Sequence, residues 1–249
     1  MKVRAFIENT LKQRKMHMTL LDPAKQPISV AGDIAEDAAA AGTDAVMVGG
    51  STGITQENLD MTVDEIKRRC SLPVIYFPSG ANAIAQRCDA IYFMSMLNSR
   101  NVRNLTGEQW KGAPLIKRLG IEPISMGYII VEPGMKVGEV GEADLVRRDD
   151  SDRAVGYAIA AEFFGMALVY LEAGSGAPQP VPEDMVHSVR ENISIPLVVG
   201  GGITDPKAAS RLCRSGADIV VTGTLVENGD FIAPLKEMVA AIHSIDARS

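Results

Sequence analysis

The chain has 249 residues, of which 46% are hydrophobic and 22% are charged, a composition typical of a folded soluble protein and not of a disordered one. Its net charge of −6 argues against a nucleic-acid partner, which needs a basic face, and against adsorption to an anionic membrane surface. An anionic ligand must therefore be held by local groups such as backbone N–H groups, helix N-termini, a metal ion or one or two cations.

The N-terminal residues do not have the pattern of a signal peptide. Apolar residues between positions 3 and 11 recur at helical spacing among charges, which predicts an amphipathic helix instead of a continuous apolar core. The most apolar stretch, residues 154–171, is interrupted by Glu162 and Gly165, which favours a helix followed by a buried strand over a membrane span. The three cysteines lie far apart and form no disulfide or zinc pattern. We therefore expect a cytoplasmic protein with no transmembrane segment.

Short apolar runs alternate with helix-like segments along the whole chain. The runs are residues 18–21, 45–48, 74–77, 90–94, 127–131, 168–171, 197–199 and 219–222. The helix-like segments are residues 34–41, 60–69, 107–119, 152–164, 183–191, 206–215 and 232–245. Continuous apolar runs are typical of parallel strands buried on both faces. The pattern predicts an α/β fold, a (β/α)₈ TIM-type barrel that spans residues 1–249 as a single domain, with an open doubly wound sheet as the alternative.

The longest segment without a regular pattern is residues 132–152. Loops of this length in a compact domain are often lids or binding loops, so we expect this segment to contribute to a site.

Glycines concentrate in the turns that follow the last three apolar runs. These turns are Gly174-Ser175-Gly176, Gly200-Gly201-Gly202 and Gly223-Thr224. In a barrel the site lies at the carboxyl ends of the strands, and phosphate commonly binds after the last two of them. Glycine lets successive N–H groups approach an anion without a Cβ in the way, so the turns predict a phosphate site; the alternative is that glycine merely permits tight turns. The Gly-Ser-Gly turn does not complete the G-x-G-x-x-G pattern of a dinucleotide site.

Two carboxylates lie at predicted strand ends. Asp22 follows the first run and fits a ligand of Mg²⁺, with Ser51 or water as a neighbouring oxygen ligand, or a turn aspartate before proline. Glu172 ends the sixth run directly before the Gly-Ser-Gly turn. It is better placed to accept a hydrogen bond from a ligand hydroxyl than to bind phosphate, which suggests a general base; the alternative is a salt-bridged structural carboxylate.

Several of these segments resemble the geranylgeranylglyceryl phosphate synthase family. They are residues 17–23 (HMTLLDP), 49–52 (GGST), 93–99 (FMSMLNS), 126–128 (MGY), 170–178 (YLEAGSGAP), 198–203 (VVGGGI) and 220–226 (VVTGTLV). The resemblance covers nearly the whole chain and is closest to the branch of the family that forms larger oligomers.

The resemblance implies a Mg²⁺-dependent prenyltransferase that joins sn-glycerol 1-phosphate to geranylgeranyl diphosphate, which is the first ether bond of archaeal membrane lipids. It implies that Asp22 and Ser51 hold Mg²⁺ and that Glu172 is catalytic. The residues that it places around the glycerol phosphate are Tyr170, Leu171, Glu172, Ala173, Gly174, Ser175, Gly176, Gly201, Gly202, Gly223 and Thr224. It also implies a homo-oligomer, with a hexamer favoured over a dimer.

Three alternatives stay open. A heptaprenylglyceryl phosphate synthase would differ only in taking a longer donor. A non-catalytic phosphate-binding barrel would keep the glycine turns without needing Asp22 or Glu172. A phosphosugar isomerase or an aldolase-like barrel is also conceivable, but an aldolase needs a lysine that projects into the barrel, whereas Lys25 and Lys136 both fall beyond strand ends.

Overall fold

A computed structural model describes residues 2–227 and 229–247. The helices are Val3–Leu11 (α1), Ile28–Ala41 (α2), Gln56–Arg69 (α3), Glu108–Leu119 (α4), Met135–Val140 (α5), Ser151–Phe163 (α6), Glu183–Asn192 (α7), Pro206–Arg214 (α8) and Ile232–His243 (α9). The strands are Met16–Leu21 (β1), Ala45–Val48 (β2), Val74–Tyr76 (β3), Ala90–Met96 (β4), Glu122–Ile130 (β5), Leu168–Glu172 (β6), Leu197–Gly200 (β7) and Ile219–Thr222 (β8). A π-helical turn, Arg103–Gly107, precedes α4, and a 3₁₀ turn, Thr224–Glu227, follows β8.

The strands form a closed parallel barrel in sequence order, from β1 to β8 and back to β1. The predicted (β/α)₈ barrel is therefore confirmed, and the open doubly wound sheet is wrong. One face of every strand fills the barrel interior and the other packs under the helices, which explains why the apolar runs are continuous. All eight carboxyl ends consequently meet at one face of the barrel.

Local capping fixes where several helices begin and end. The side chains of Thr55, Asp150 and Asp205 accept backbone N–H groups at the first turns of α3, α6 and α8. Helices α2 and α4 end at Gly42 and Gly120, which take the left-handed backbone conformation that glycine favours. The helices thus stop within short turns, and the strands that follow enter the barrel directly.

No helix joins β3 to β4 in this structure; residues 77–89 form an irregular segment instead. Pro78, Ser79 and Gly80 all disfavour helix at its start. The outer layer of helices is therefore incomplete between this segment and α4, and a groove lies there.

The predicted lid, residues 132–152, contains the short helix α5. It leaves the barrel after Ile130 and returns at Val146, where Val131 and Val146 form a parallel bridge. No helix among residues 2–227 and 229–247 is long and apolar enough to cross a membrane.

Candidate active site at the carboxyl end of the barrel

A cavity of about 350 Å³ opens at the carboxyl ends of the strands and continues into the groove beside α4. Its size is typical of a site for a small molecule. Ser51 after β2, Glu172 at the end of β6 and Ser175 in the following turn all line it, and its deeper part is lined by apolar side chains such as Ile84 and Ile116. One cavity therefore joins the early and the late strand ends and extends into an apolar groove.

Glu172 lines this cavity and is buried. Its Oε1 accepts the backbone N–H of Gly174 at 2.6 Å, and its Oε2 accepts the hydroxyl of Tyr128 at 3.3 Å. The hydroxyl of Tyr170 interacts with the same carboxylate. Burial raises the pKa of Glu172, and these hydrogen bonds offset part of that shift because they stabilise the ionised form. No lysine or arginine pairs with it, so the structural alternative of a salt bridge is wrong within the described residues.

Aromatic rings hold the groups that orient Glu172. Tyr128 and Tyr170 pair directly across β5 and β6, and their rings meet edge to face at 5.2 Å. Phe77, which also lines the cavity, stacks on Tyr170 at 5.8 Å and meets Tyr128 edge to face at 5.3 Å. These contacts fix both hydroxyls, and burial raises the pKa of each tyrosine well above its usual value, so both remain hydrogen-bond donors.

The turns after β6 and β7 lie against each other beside Glu172. Gly201 has a φ of +83°, and a Cβ at this position would lie 2.4 Å from Glu172 Oε1 and 2.6 Å from the nitrogen of Gly174. No side chain fits there, and the left-handed backbone is one that other residues rarely adopt. The close packing of the two turns therefore requires glycine at position 201.

The turn after β8 joins the same corner. The Oγ atoms of Ser175 and Thr224 are 3.4 Å apart. In the part of the chain that the structure describes, the backbone N–H groups of Gly201, Gly202 and Gly223 donate to no protein acceptor. They are therefore free to donate to an anion, as the predicted phosphate turns after β7 and β8 require, whereas the Gly174 N–H in the turn after β6 donates to Glu172.

Two of the predicted glycerol phosphate residues have side chains that point away from the cavity. Leu171 and Ala173 pack in the core between the barrel and the helices. The N–H of Ala173 donates to Gly200, and its carbonyl accepts from Gly134. Ala173 thus holds the neighbouring turns in place, and the role of both residues in binding stays a prediction.

Asp22 lies at the opposite side of the barrel mouth, behind the cavity-lining Gly50. A Cβ on Gly50 would lie 2.3 Å from Asp22 Oδ1, so glycine is required for the carboxylate to sit there. The Asp22 carboxylate accepts the N–H of Ala24 at 2.9 Å, and burial raises its pKa. The adjacent Lys25 is held by Glu227 at 2.5 Å.

These donors fit a magnesium ion that shares its ligands with a substrate. No group of three or more His, Cys, Asp or Glu side chains that could hold a metal occurs within residues 2–227 and 229–247. Mg²⁺ is commonly bound by one or two carboxylates together with phosphate oxygens and water, and Asp22 beside the Gly50-Ser51 turn provides one carboxylate with a raised pKa. The coordination of the ion would thus be complete only with phosphate oxygens from a bound ligand.

Lysine chemistry of the aldolase type is not supported. Lys136 pairs with Glu139 at the exposed surface, and Lys25 pairs with Glu227 outside the cavity. Neither projects into the barrel, as an aldolase would require.

Comparison with known proteins agrees with this geometry. The model of the PcrB family matches residues 8–244. The geranylgeranylglyceryl phosphate synthase of Picrophilus torridus is 52% identical over 93% of this chain and 96% of its own length. The synthase of Thermococcus gammatolerans is 50% identical over 98% of this chain and 96% of its own length.

A solved structure is also similar over the whole chain. It is (S)-3-O-geranylgeranylglyceryl phosphate synthase from Thermoplasma acidophilum in complex with its substrate sn-glycerol 1-phosphate. It superposes with a TM-score of 0.96 and 43% sequence identity, and covers 98% of this chain and all of the other. With a family model matched over nearly its whole length and relatives at about half identity, this chain belongs to the PcrB family.

Proposed function

We propose that this protein is a prenyltransferase that joins sn-glycerol 1-phosphate to geranylgeranyl diphosphate. The products are 3-O-geranylgeranyl-sn-glycerol 1-phosphate and diphosphate. One observation carries the proposal: a single cavity is lined by the buried Glu172, by Ser175 of the turn after β6 and by the Gly50-Ser51 turn, and it continues into an apolar groove. Two anionic substrates, one with a long apolar tail, match this arrangement.

The acceptor's phosphate binds at the late turns. The free N–H groups of Gly201, Gly202 and Gly223 and the hydroxyls of Ser175 and Thr224 supply donors for it. Because no lysine or arginine is needed in this arrangement, the site tolerates the acidic overall charge of the protein.

Glu172 then faces the hydroxyl at the other end of the same small molecule. The sn-3 oxygen of the acceptor forms a bond to C1 of the donor while the bond between C1 and the diphosphate oxygen breaks. The hydroxyl proton passes to Glu172, whose raised pKa makes it a stronger base than an ordinary glutamate. Tyr128 and the Gly174 N–H keep the carboxylate oriented for this transfer.

The donor's tail occupies the groove between residues 77–89 and α4. Its walls include Ile84, Ile91, Phe93 and Ile116, and the missing helix after β3 is what leaves room for them to face an open space. The length of tail that the protein accepts depends on where this groove ends, so a heptaprenyl donor is the main alternative substrate.

Asp22 and Ser51 would hold Mg²⁺ at the donor's diphosphate. The ion, when bound, neutralises the charge that develops on the departing diphosphate. The half-buried Asp22 carboxylate with its raised pKa supports this assignment. Chelation of divalent cations is therefore expected to abolish turnover, and activity that survives excess chelator would exclude the metal.

We further propose a cytoplasmic homo-oligomer, a hexamer in preference to a dimer. Trp110 on α4 and Phe163 and Phe164 at the end of α6 are each more than two-thirds exposed, and such aromatic side chains are typical of subunit contacts. Light scattering coupled to size-exclusion chromatography measures the assembly directly.

A non-catalytic phosphate-binding barrel is less well supported. Such a protein would have no need for a buried carboxylate without a cationic partner, because burial of that charge costs free energy. A buried carboxylate that lines a cavity and has a raised pKa is instead a candidate functional group.

The test of the reaction is product analysis. Purified protein, sn-glycerol 1-phosphate and Mg²⁺ are incubated with each of several prenyl diphosphates from ten to thirty-five carbons, and products are identified by mass. We expect the geranylgeranyl ether to form fastest. Faster turnover of the heptaprenyl donor would establish the longer-chain alternative, and the absence of any ether product would support the non-catalytic one.

A further inference from the structure

One wall of the cavity does not belong to the barrel. Val137 and Val140 of α5, together with Gly141 and Glu142, line the same cavity as Glu172. They belong to the segment between β5 and α6, residues 132–145, which we call the α5 segment. Whatever holds this segment also sets the shape of the cavity.

The α5 segment has little core of its own. Met135 and Val140 are exposed, and Lys136 and Glu139 form an ion pair at the surface. A six-residue helix with Gly138 inside it is marginal in isolation. Contacts from outside the segment must therefore hold it against the cavity.

The backbone on both sides of α5 needs such support. Met135 has a φ of +45° and Glu142 a φ of +48°, the left-handed region that residues other than glycine rarely adopt. A conformation of this kind persists only where surrounding contacts impose it. Without them the segment would relax away from the cavity.

Asn98 makes contacts at both ends of the segment. Its side-chain Nδ2 donates to the carbonyl of Ile130 at 2.8 Å, and its Oδ1 accepts the N–H of Ile130 at 3.1 Å, where the segment leaves the barrel. The same Nδ2 donates to the carbonyl of Asp144 at 3.0 Å, and the Asn98 carbonyl accepts the Asp144 N–H at 2.7 Å, where the segment returns.

The position of Asn98 explains this double role. The ladder between β4 and β5 ends at the pair Met96 and Tyr128, so Asn98 stands opposite Ile130 with no strand partner. Its side chain makes the hydrogen bonds to Ile130 that the next residue pair of the ladder would make, and the residue is 98% buried. Both amide protons and the amide oxygen are used, which only asparagine can provide in this geometry.

We propose that Asn98 is a positioning residue for prenyl transfer. It closes the neck of the α5 segment, where the chain leaves the barrel at Ile130 and returns at Asp144, and so holds Val137 and Val140 against the bound substrates. This inference rests on the proposed function for its kinetic consequence. Asn98 itself does not line the cavity and touches no substrate.

The test uses Asn98→Asp and Asn98→Ala in the full-length protein. Aspartate keeps the shape of the side chain but turns a donor into an acceptor that faces two carbonyl oxygens, and alanine removes the contacts without this repulsion. If the aspartate variant does not fold, the alanine variant provides the measurement.

Two readouts distinguish positioning from simple destabilisation. Hydrogen exchange of residues 132–145 should become faster in the variants. The KM values for both substrates should rise about tenfold, a loss of about 1.4 kcal/mol of binding free energy. The kcat should stay close to that of the wild type, because the groups that donate to the Glu172 carboxylate, the Tyr128 hydroxyl and the Gly174 N–H, both lie outside the α5 segment.

Gln56→Glu is the matched control for the exchange measurement alone, because its partner Ile84 lines the groove proposed for the donor's tail. Gln56 makes the same pair of hydrogen bonds, to the N–H and carbonyl of Ile84, but it lies far from the neck of the α5 segment in the chain. The Gln56→Glu substitution should lower the melting temperature about as much as the Asn98 substitutions do, while hydrogen exchange of residues 132–145 stays at the wild-type rate.

Unchanged exchange of residues 132–145 in both Asn98 variants, or a fall in kcat at constant KM, would overturn the positioning role. Exchange is measured without substrate, so it tests the holding of the segment even if the wild type transfers no prenyl group. A wild-type protein that transfers no prenyl group would instead overturn the proposed function.

Discussion

Replacement of Glu172 by glutamine is the sharpest perturbation of the site. The amide preserves the volume of the side chain and can still accept the Gly174 N–H that now lies 2.6 Å from Oε1. Its NH₂ group can donate to the Tyr128 oxygen, which is 3.3 Å from Oε2. The fold is therefore retained while the proton acceptor is removed.

The magnitude follows from the role of a general base. Such a group contributes about 10²- to 10⁴-fold to the rate, so kcat should fall by that factor, an increase of about 3 to 5 kcal/mol in the activation barrier. The KM for sn-glycerol 1-phosphate should change little, because its phosphate is held by the late turns and not by the carboxylate.

The same substitution should stabilise the fold at neutral pH. Burial raises the pKa of Glu172 above the ordinary 4.5, so the folded state binds this proton more tightly than the unfolded state does. The stability contributed by protonation is present below pH 4.5 and is lost as the pH rises through the higher folded pKa. Glutamine resembles the protonated form at every pH, so its melting temperature should exceed that of the wild type at pH 7 and converge with it in acid.

Steady-state kinetics with product quantified by mass, alongside thermal melts from pH 4 to pH 8, provide both readouts. Glu122→Gln is the control, because Glu122 accepts the N–H of Val3 at the opposite end of the barrel. A Glu172→Gln variant with kcat within threefold of the wild type would refute the role of this carboxylate as the base.

Three further outcomes are expected. Asp22→Asn should lower kcat/KM for the prenyl diphosphate by about tenfold or more and raise the Mg²⁺ concentration needed for half-maximal rate, since one ionic metal ligand is lost; a Mg²⁺ titration that superposes on the wild type would contradict this. Gly201→Ala places a Cβ 2.4 Å from Glu172 Oε1 at a φ of +83°, so sn-glycerol 1-phosphate binding measured by calorimetry should weaken strongly, and unaltered affinity would show that this turn does not form the phosphate site. His17 is buried between the hydroxyls of Thr43 and Thr222, and burial lowers its pKa from 6.5 to about 3. Between these two pH values the unfolded state binds a proton at His17 and the folded state does not. Stability should therefore fall by about 1.4 kcal/mol for each pH unit below 6.5, and denaturant titrations of His17→Gln should lack this contribution; an equal slope in the variant would refute it.

The barrel could be predicted from the sequence because strands buried on both faces leave a direct pattern. The strand at Ala45–Val48 is recognisable as four consecutive apolar residues, and its predicted bounds match the observed ones. β5 begins at Glu122, five residues before the predicted start, because its first residues include a glutamate and a proline that the apolar pattern excludes.

The site could be predicted only in part. The Gly174-Ser175-Gly176 turn lies two residues after Glu172, so the sequence predicts that they are close, whereas the contact of Tyr128 with Glu172 depends on the register of β5 against β6. Ile130 and Glu172 pair at the ends of β5 and β6, and Tyr128 and Tyr170 each lie two residues earlier in their strands. This matched spacing is the sequence signal that could have predicted the contact of Tyr128 with Glu172. The contact between Asn98 and Asp144 joins residues 46 apart and leaves no local pattern.

Helix α5 could not be predicted from the sequence either. The segment MKVGEV is short and contains glycine, so its intrinsic preference for helix is weak. The ends of the segment are held by tertiary contacts, such as the hydrogen bond from the Val146 N–H to the Ile130 carbonyl, that no local pattern predicts.

The most direct test of the central claim is the ratio of kcat/KM for sn-glycerol 1-phosphate and for its enantiomer, each with geranylgeranyl diphosphate. If the late turns hold the phosphate while Glu172 receives the proton of the sn-3 hydroxyl, only one enantiomer places that hydroxyl against the carboxylate. The ratio should then exceed about 10² in favour of sn-glycerol 1-phosphate, because a site built around a hydroxyl discriminates strongly against its displacement. Equal rates for the two enantiomers, or no ether product from either, would contradict the account.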